Sequence, residues 1–148
     1  MSVLLEAEHL TKIFLQKGKE PFQAVSDVSF TLASGETLGI VGESGSGKST
    51  LAKMLTRLTD INSGTLKFEG KNITKLKPKE LKPIYGKIQM VFQNPTGSFD
   101  PRKTLEDGIG ESLRNRGMKK AEIEKRVGEL LEQCGLDRAF AKRYPHEV

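Results

Sequence analysis

The fold is decided by one short stretch of sequence, Gly42-Glu43-Ser44-Gly45-Ser46-Gly47-Lys48-Ser49. It matches the pattern G-x-x-x-x-G-K-[ST], whose glycines let the backbone curl until successive N–H groups point at phosphate oxygens. The lysine of such a loop bridges the terminal phosphates of a nucleotide, and the last hydroxyl coordinates Mg²⁺. We therefore predict that residues 42–50, ending at Thr50, bind phosphate, with Lys48 on the phosphates and Ser49 on the metal.

The residues on either side of this loop fit the strand–loop–helix context that such a loop requires. Thr37–Val41 is mostly apolar and predicts a buried strand leading into the loop. Lys48–Leu58 predicts a helix, because its apolar residues recur at the helical spacing i, i+3, i+4 and i+7. These apolar residues are Leu51, Met54, Leu55 and Leu58. The N-terminus of this helix would add its positive dipole end to the phosphate site.

Short runs before residue 93 predict further strands, whereas the segment after residue 103 predicts helices. The predicted strands are Val3–Glu8, Val25–Leu32, Thr65–Phe68 and a buried strand Ile88–Phe92. Thr104 predicts a helix N-cap, with Asp107 as its acidic partner, and the helix should end near Gly117. A second helix is predicted from about Lys119 to Cys134, with Cys134 packed on its apolar face. Asp137 could cap one further turn.

Composition excludes several classes of protein. The chain has 148 residues with 36% hydrophobic and 29% charged side chains, which is typical of a globular protein. No apolar run approaches the ~20 residues of a membrane span, and the acidic start is unlike a signal peptide. The single cysteine excludes an internal disulfide, and two histidines are too few for a histidine metal cluster. Residues 75–148 carry 16 basic and 11 acidic side chains, which accounts for the whole net charge of +5.

Four segments together resemble the nucleotide-binding subunit of ATP-binding-cassette (ABC) transporters. They are GETLGIVGESGSGKST around the loop, LTKIF near the start, QMVFQ ending at Gln93, and RYPHEV at the end. The resemblance implies that Phe14 stacks on the adenine of ATP and that Gln93 reaches Mg²⁺ and the attacking water. It also implies an α/β P-loop NTPase fold, truncated here: a RecA-like core with an antiparallel β subdomain (residues 1–92), followed by the glutamine loop and a partial helical subdomain (residues 93–148).

A narrower resemblance concerns the residues after Gln93. Gln93-Asn94-Pro95 followed by Ser98-Phe99-Asp100-Pro101-Arg102 resembles ATPases of oligopeptide, dipeptide and nickel importers, without indicating which cargo is carried. Such subunits bind ATP and Mg²⁺ between two copies arranged head to tail, and they couple to membrane-spanning permease subunits at the cytoplasmic face of the membrane. Gly97–Arg102 is expected to form part of the permease contact. No nucleic-acid partner is expected.

The resembled family needs further motifs for hydrolysis. These are an apolar strand ending in Asp-Glu, a histidine loop and an L-S-G-G-Q signature, and none occurs before Val148. The sequence therefore predicts the N-terminal portion of a longer protein, without catalytic residues of its own. On this interpretation the 148 residues bind nucleotide but do not hydrolyse it.

Alternative interpretations apply to several of these features. Phe14 could be an ordinary core residue, and Gln93 could be a loop glutamine bonded to the backbone. The basic stretch Lys75–Lys87 is read as a solvated surface loop, with nucleic acid or anionic lipid as the functional alternatives. For the whole chain, the rivals are a non-transport cassette ATPase acting on DNA or ribosomes and a nucleotide-binding module that does not hydrolyse.

Overall fold

The computed structural model describes residues 2–148, apart from the side chain of Thr96. Packing divides the chain into two compact units, the first ending at Gln89 and the second beginning at Met90. Each unit has an apolar core of its own. This division falls slightly before residue 92, where the sequence places the end of the nucleotide-binding portion.

The first unit contains a four-stranded antiparallel sheet with the strand order β2-β1-β3-β4. Its strands are β1 (Val3–Phe14), β2 (Phe22–Ala33), β3 (Ser63–Phe68) and β4 (Lys71–Asn72). β1 and β2 form a long hairpin, in which Leu5 lies opposite Leu32 and Phe14 lies opposite Phe22. The three strands predicted within β1, β2 and β3 are confirmed, and β1 extends well past the predicted end at Glu8.

Helix α1 (Lys48–Leu55) follows the loop and buries Leu51 and Met54 in the core of the first unit. The sequence predicts this helix as far as Leu58, but the structure ends it at Leu55. The reason lies in Arg57, whose backbone is left-handed with φ 57° and therefore cannot continue a right-handed helix. Leu58 lies beyond this break and is 51% exposed, so the predicted apolar face is one residue shorter than the periodicity suggests.

The two predicted buried strands, Thr37–Val41 and Ile88–Phe92, do not form. Neither run has strand pairing, and Val41 and Val91 are 96% and 91% exposed. A buried strand satisfies its backbone N–H and C=O groups only through neighbouring strands. Within residues 2–148 the strands pair with one another in the antiparallel sheet, and none pairs with either run. Apolar composition identified these segments as strand-like, but the prediction of two buried strands is wrong here.

The basic stretch contains a helix that the sequence interpretation missed, α2 (Pro78–Tyr85). Pro78 occupies the first helical position, where a missing N–H is harmless and the fixed φ suits the helix. The Glu80 carboxylate accepts a hydrogen bond from the Lys77 backbone N–H at 2.9 Å. Leu81 and Ile84 are buried on the inner side of α2. The surface-loop interpretation is therefore wrong over α2, because Pro78 starts a helix where it was taken to break one.

The second unit packs α3 (Leu105–Asn115) against α4 (Lys120–Gln133), with 3₁₀ turns at Pro95–Ser98, Arg138–Lys142 and Pro145–Glu147. Its buried apolar residues are Leu105, Ile123, Val127, Leu131 and Ala141. The two helices approach closely at Gly110, where a Cβ atom would lie only 2.7 Å from Cγ2 of Ile123. No helix within residues 2–148 is long and apolar enough to cross a membrane.

The predicted ends of these helices are largely confirmed. Thr104 Oγ1 accepts a hydrogen bond from the Asp107 backbone N–H at 3.3 Å, so Thr104 is the N-cap of α3. The Asp137 carboxylate caps the following 3₁₀ turn by accepting from the Ala139 N–H at 2.7 Å. Cys134 is an exception. It is exposed at the C-cap position, just past the last helical residue of α4, so the packing prediction for it is wrong.

Candidate functional site

The candidate site is the loop from Gly42 to Lys48, which turns sharply before α1 begins. Gly45 and Gly47 have left-handed backbones, with φ 81° and 89°. The Ser46 N–H donates to the Glu43 carbonyl at 3.2 Å and closes a turn inside the loop. At these φ angles a residue with a Cβ atom would be strained, so glycine is favoured at both positions. A loop that wraps around phosphate requires a backbone of this kind.

Close packing fixes the loop against β2 and against itself. A Cβ atom on Gly47 would lie 2.0 Å from the backbone oxygen of Ala24 in β2. A Cβ atom on Gly42 would lie 2.7 Å from the hydroxyl oxygen of Ser46. Both distances are far shorter than van der Waals contact, so the absence of a side chain at these positions sets the path of the loop.

The Lys48 side chain folds back so that its ammonium group contacts the first residues of the loop. Its Nζ atom donates to the carbonyl oxygens of Gly42 at 2.6 Å and Glu43 at 2.5 Å, and it contacts Ser46 Oγ at 3.2 Å. A cation is thereby held beside the N-terminus of α1, where the first backbone N–H groups of a helix have no helical partner. The arrangement offers both a point charge and N–H donors to an anion such as a phosphate.

Ser49 and Thr50 occupy the first turn of α1. Ser49 is exposed and Thr50 is half-buried, so the Ser49 hydroxyl is accessible beside the loop. A hydroxyl at this position is a hard oxygen ligand of the kind Mg²⁺ prefers. In the part of the chain that the structure describes, no group of three or more His, Cys, Asp or Glu side chains is placed to hold a metal. Coordination of Mg²⁺ by Ser49 stays a prediction.

A cleft of about 680 Å³ lies beside the loop within the first unit. One wall is β2 from Gln23 to Ser26, and another is the exposed apolar run from Leu38 to Val41. Gly47, Lys48 and Leu51 line the remaining side. This volume falls within the ~300–1,000 Å³ typical of small-molecule pockets. The wall at Gln23 and Ala24 was missed by the sequence interpretation, because the predicted strand began only at Val25 and the loop motif carries no signal for its distant neighbour.

Phe14 ends β1 opposite Phe22, next to the part of β2 that forms the cleft wall. Its side chain is 37% exposed, and the Lys12 ammonium lies 5.1 Å from the ring centroid. The ring is therefore accessible to a flat ligand instead of being enclosed in the core. Adenine stacking on Phe14 stays a prediction.

Gln93 lies in the second unit, where it is exposed and sits in a bend outside any helix or strand. Its predicted role at the metal and the attacking water stays a prediction. The nearby segment Gly97–Arg102, expected to contact a permease, makes one packing contact with α3 and one internal ion pair. The Phe99 ring lies against Gly108, where a Cβ atom would be 2.8 Å from it, and Asp100 pairs with Arg102 at 3.0 Å.

Comparison with known proteins identifies the family of the chain. The model of the ABC transporter family matches residues 25–147. The oligopeptide transport ATP-binding protein OppF of Bacillus subtilis (strain 168) is 44% identical over 147 residues, covering 97% of this chain and 48% of that protein. The glutathione import ATP-binding protein GsiA of Escherichia coli O157:H7 is 48% identical over 125 residues, covering 84% of this chain and 20% of that protein. The chain thus spans half or less of the length of these relatives.

A solved structure gives the same result for the fold. The dimeric structure of a post-hydrolysis state of the ATP-binding cassette MJ0796 bound to ADP and Pi matches with a TM-score of 0.86 and 28% identity. The match covers 98% of this chain and 63% of that chain. The predicted P-loop NTPase fold, with an antiparallel β subdomain and a partial helical subdomain, is confirmed by this match. The chain belongs to the ABC transporter family.

Proposed function

We propose that the chain is the ATP-binding portion of the ATPase subunit of a peptide importer. The observation that carries the proposal is the loop from Gly42 to Lys48, with its left-handed glycines and its ammonium group held at the N-terminus of α1. The names of the relatives, which refer to oligopeptide transport and glutathione import, support a peptide cargo over nickel.

Each residue of the site has a defined part in this proposal. The backbone N–H groups of residues 42–50 and the Lys48 ammonium hold the phosphates of ATP, and Ser49 contributes its hydroxyl to Mg²⁺. Phe14 offers an accessible ring to adenine at the end of β1. Gln93 would orient the attacking water. When bound, Mg²⁺ supplies charge neutralisation at the terminal phosphates.

In this proposal, hydrolysis needs groups that residues 1–148 do not supply, and transport also needs partner subunits. Phosphoryl transfer in P-loop enzymes uses an acidic residue on Mg²⁺ and a group that positions water, and residues 1–148 carry no apolar run ending in Asp-Glu after Phe92. We therefore propose that these residues alone bind ATP without turnover. The complete transporter would contain a second ATPase subunit, arranged head to tail with the first. It would also contain membrane-spanning permease subunits, which the ATPase subunits contact at the cytoplasmic face of the membrane.

Nucleotide titration tests the proposal. Lys48→Ala should weaken binding of a fluorescent ATP analogue about tenfold or more, because a charge-assisted hydrogen bond contributes roughly 1.5–3 kcal/mol. Lys53→Ala is the matched control, since Lys53 is exposed on the same helix and outside the loop. Equal affinities of the two variants would contradict the proposed site. Turnover of ATP by residues 1–148 alone, abolished in Lys48→Ala, would contradict the proposal that these residues bind ATP without hydrolysing it.

A further inference from the structure

The whole net charge of the chain is concentrated in one segment of the first unit. Residues 71–87 contain six lysines and a single acidic residue, Glu80, which gives this segment a charge of +5. The net charge of the entire chain is also +5. The remaining residues are therefore electrically balanced, and the excess positive potential originates from a short stretch around α2.

The exposed lysines of this segment lie in or near helix α2 in the sequence, and this helix is held in place by buried side chains. Five lysines of the segment are exposed and define what we call the lysine face: Lys71, Lys75, Lys77, Lys79 and Lys82. Leu81 and Ile84 are buried on the inner side of α2, and Ile84 belongs to the core of the first unit. The Tyr85 hydroxyl adds a hydrogen bond to the Arg57 backbone oxygen at 3.1 Å. Helix α2, which carries Lys79 and Lys82 of the lysine face, is therefore fixed by packing and by a polar contact.

Ion pairing elsewhere in the molecule contrasts with the lysine face. Lys67 pairs with Glu6 at 2.9 Å, Arg138 pairs with Glu132 at 2.6 Å, and Lys87 pairs with Glu69 at the edge of the segment. Across residues 2–148, no ion pair joins any lysine of the lysine face to a carboxylate. Its charges are therefore uncompensated within the chain and available to an external anion.

The chemistry of the lysine face selects among anionic partners. It contains only lysines, which act as hydrated point charges, and lacks the arginines that grip phosphate in a bidentate manner in nucleic-acid sites. Tyr85 is the single aromatic residue in the sequence of residues 71–87, so the segment offers no set of aromatic rings on which bases could stack. The apolar side of α2 is buried and cannot insert into a bilayer. The remaining mode of binding is electrostatic attraction between the lysines and a surface with many phosphate groups.

We propose that the lysine face binds the anionic phospholipid headgroups of a membrane surface. The proposal rests on the proposed function, which places the protein beside a membrane component. Each lysine near an anionic bilayer contributes enough to raise binding about fivefold, so several together hold a protein at the surface. The attraction is electrostatic and should weaken steeply as salt shortens the Debye length.

The test is co-sedimentation of the full polypeptide with vesicles of phosphatidylcholine containing phosphatidylglycerol, with pure phosphatidylcholine vesicles for comparison. The triple variant Lys75→Gln/Lys79→Gln/Lys82→Gln should lose roughly a hundredfold in partitioning onto the anionic vesicles. The matched control is Lys119→Gln/Lys120→Gln/Lys125→Gln, which removes the same charge from exposed lysines at and near the start of α4. It should partition like the unchanged protein.

Several outcomes would overturn the proposal. They are equal losses in the two triple variants, binding that pure phosphatidylcholine supports equally, or no binding of the unchanged protein. Tighter binding of a single-stranded oligonucleotide at equal phosphate concentration, lost in the first triple variant, would assign the patch to nucleic acid instead. Titration with the ATP analogue separates this proposal from the proposed function, because no lysine of the lysine face lines the cleft beside the loop. Both triple variants should bind the analogue normally.

Discussion

Gly47 has both a left-handed backbone and no room for a side chain, whereas Gly45 has only the left-handed backbone. Its φ is 89°, and a Cβ atom there would lie 2.0 Å from the Ala24 backbone oxygen, whereas Gly45 has φ 81° with open space around it. Gly45→Ala should therefore cost only the roughly 1–2 kcal/mol of a left-handed alanine. Gly47→Ala should cost more, because the loop must also move off β2, and it should abolish binding of the ATP analogue. Urea unfolding and nucleotide titration measure both effects, and equal losses in the two variants would contradict this account.

The carboxylate of Asp100 is expected to make the free energy of unfolding depend on pH. Arg102 donates to its two oxygens from the side chain at 3.0 and 3.1 Å and from the backbone at 3.0 Å. These hydrogen bonds lower the pKa of Asp100 from 3.8 to about 2. Because the folded pKa lies below the unfolded one, the stabilisation is complete above pH 3.8 and is lost as the pH falls towards 2. The difference in unfolding free energy between the unchanged protein and Asp100→Asn should shrink over that window. A difference that stays constant across it would refute the assignment.

At the scale of the element, the start of α3 depends on one side chain. Thr104 accepts the Asp107 N–H, which otherwise has no helical partner. Thr104→Ala should lower the free energy of unfolding by about 1 kcal/mol, as is usual for a lost N-cap, while Thr104→Ser should keep most of it. Urea denaturation of both variants measures the difference. A serine variant as unstable as the alanine variant would show that the hydroxyl is not the stabilising group.

Most elements with local signals were predictable from the sequence, although α2 was missed, and two segments that need distant partners were predicted wrongly. The helical spacing in α4 and the cap at Thr104 are properties of neighbouring residues, and the structure confirms both. The loop from Gly42 was predictable for the same reason, because its motif specifies its own backbone. Thr37–Val41 failed as a buried strand because pairing needs a second segment. The wall at Ala24 was missed because its contact with Gly47 joins residues far apart in the chain.

At the scale of the whole molecule, the two runs that lack strand partners each expose large apolar side chains. Leu38, Ile40 and Val41 are exposed in the first run, and Val91 and Phe92 are exposed in the second. These runs are rich in β-branched residues, and neither run is part of the sheet within residues 2–148. Such segments are templates for pairing with another chain.

We therefore expect the 148-residue polypeptide to self-associate as its concentration rises. Val41→Lys and Val91→Lys should each increase the fraction of monomer, because an exposed charge opposes strand pairing between chains. Val148→Lys is the matched control, since Val148 is 57% exposed but lies outside both runs. Sedimentation velocity over a range of concentrations measures the monomer fraction. An unchanged polypeptide that stays monomeric, or a control as effective as the two test variants, would show that exposure of these runs does not drive association.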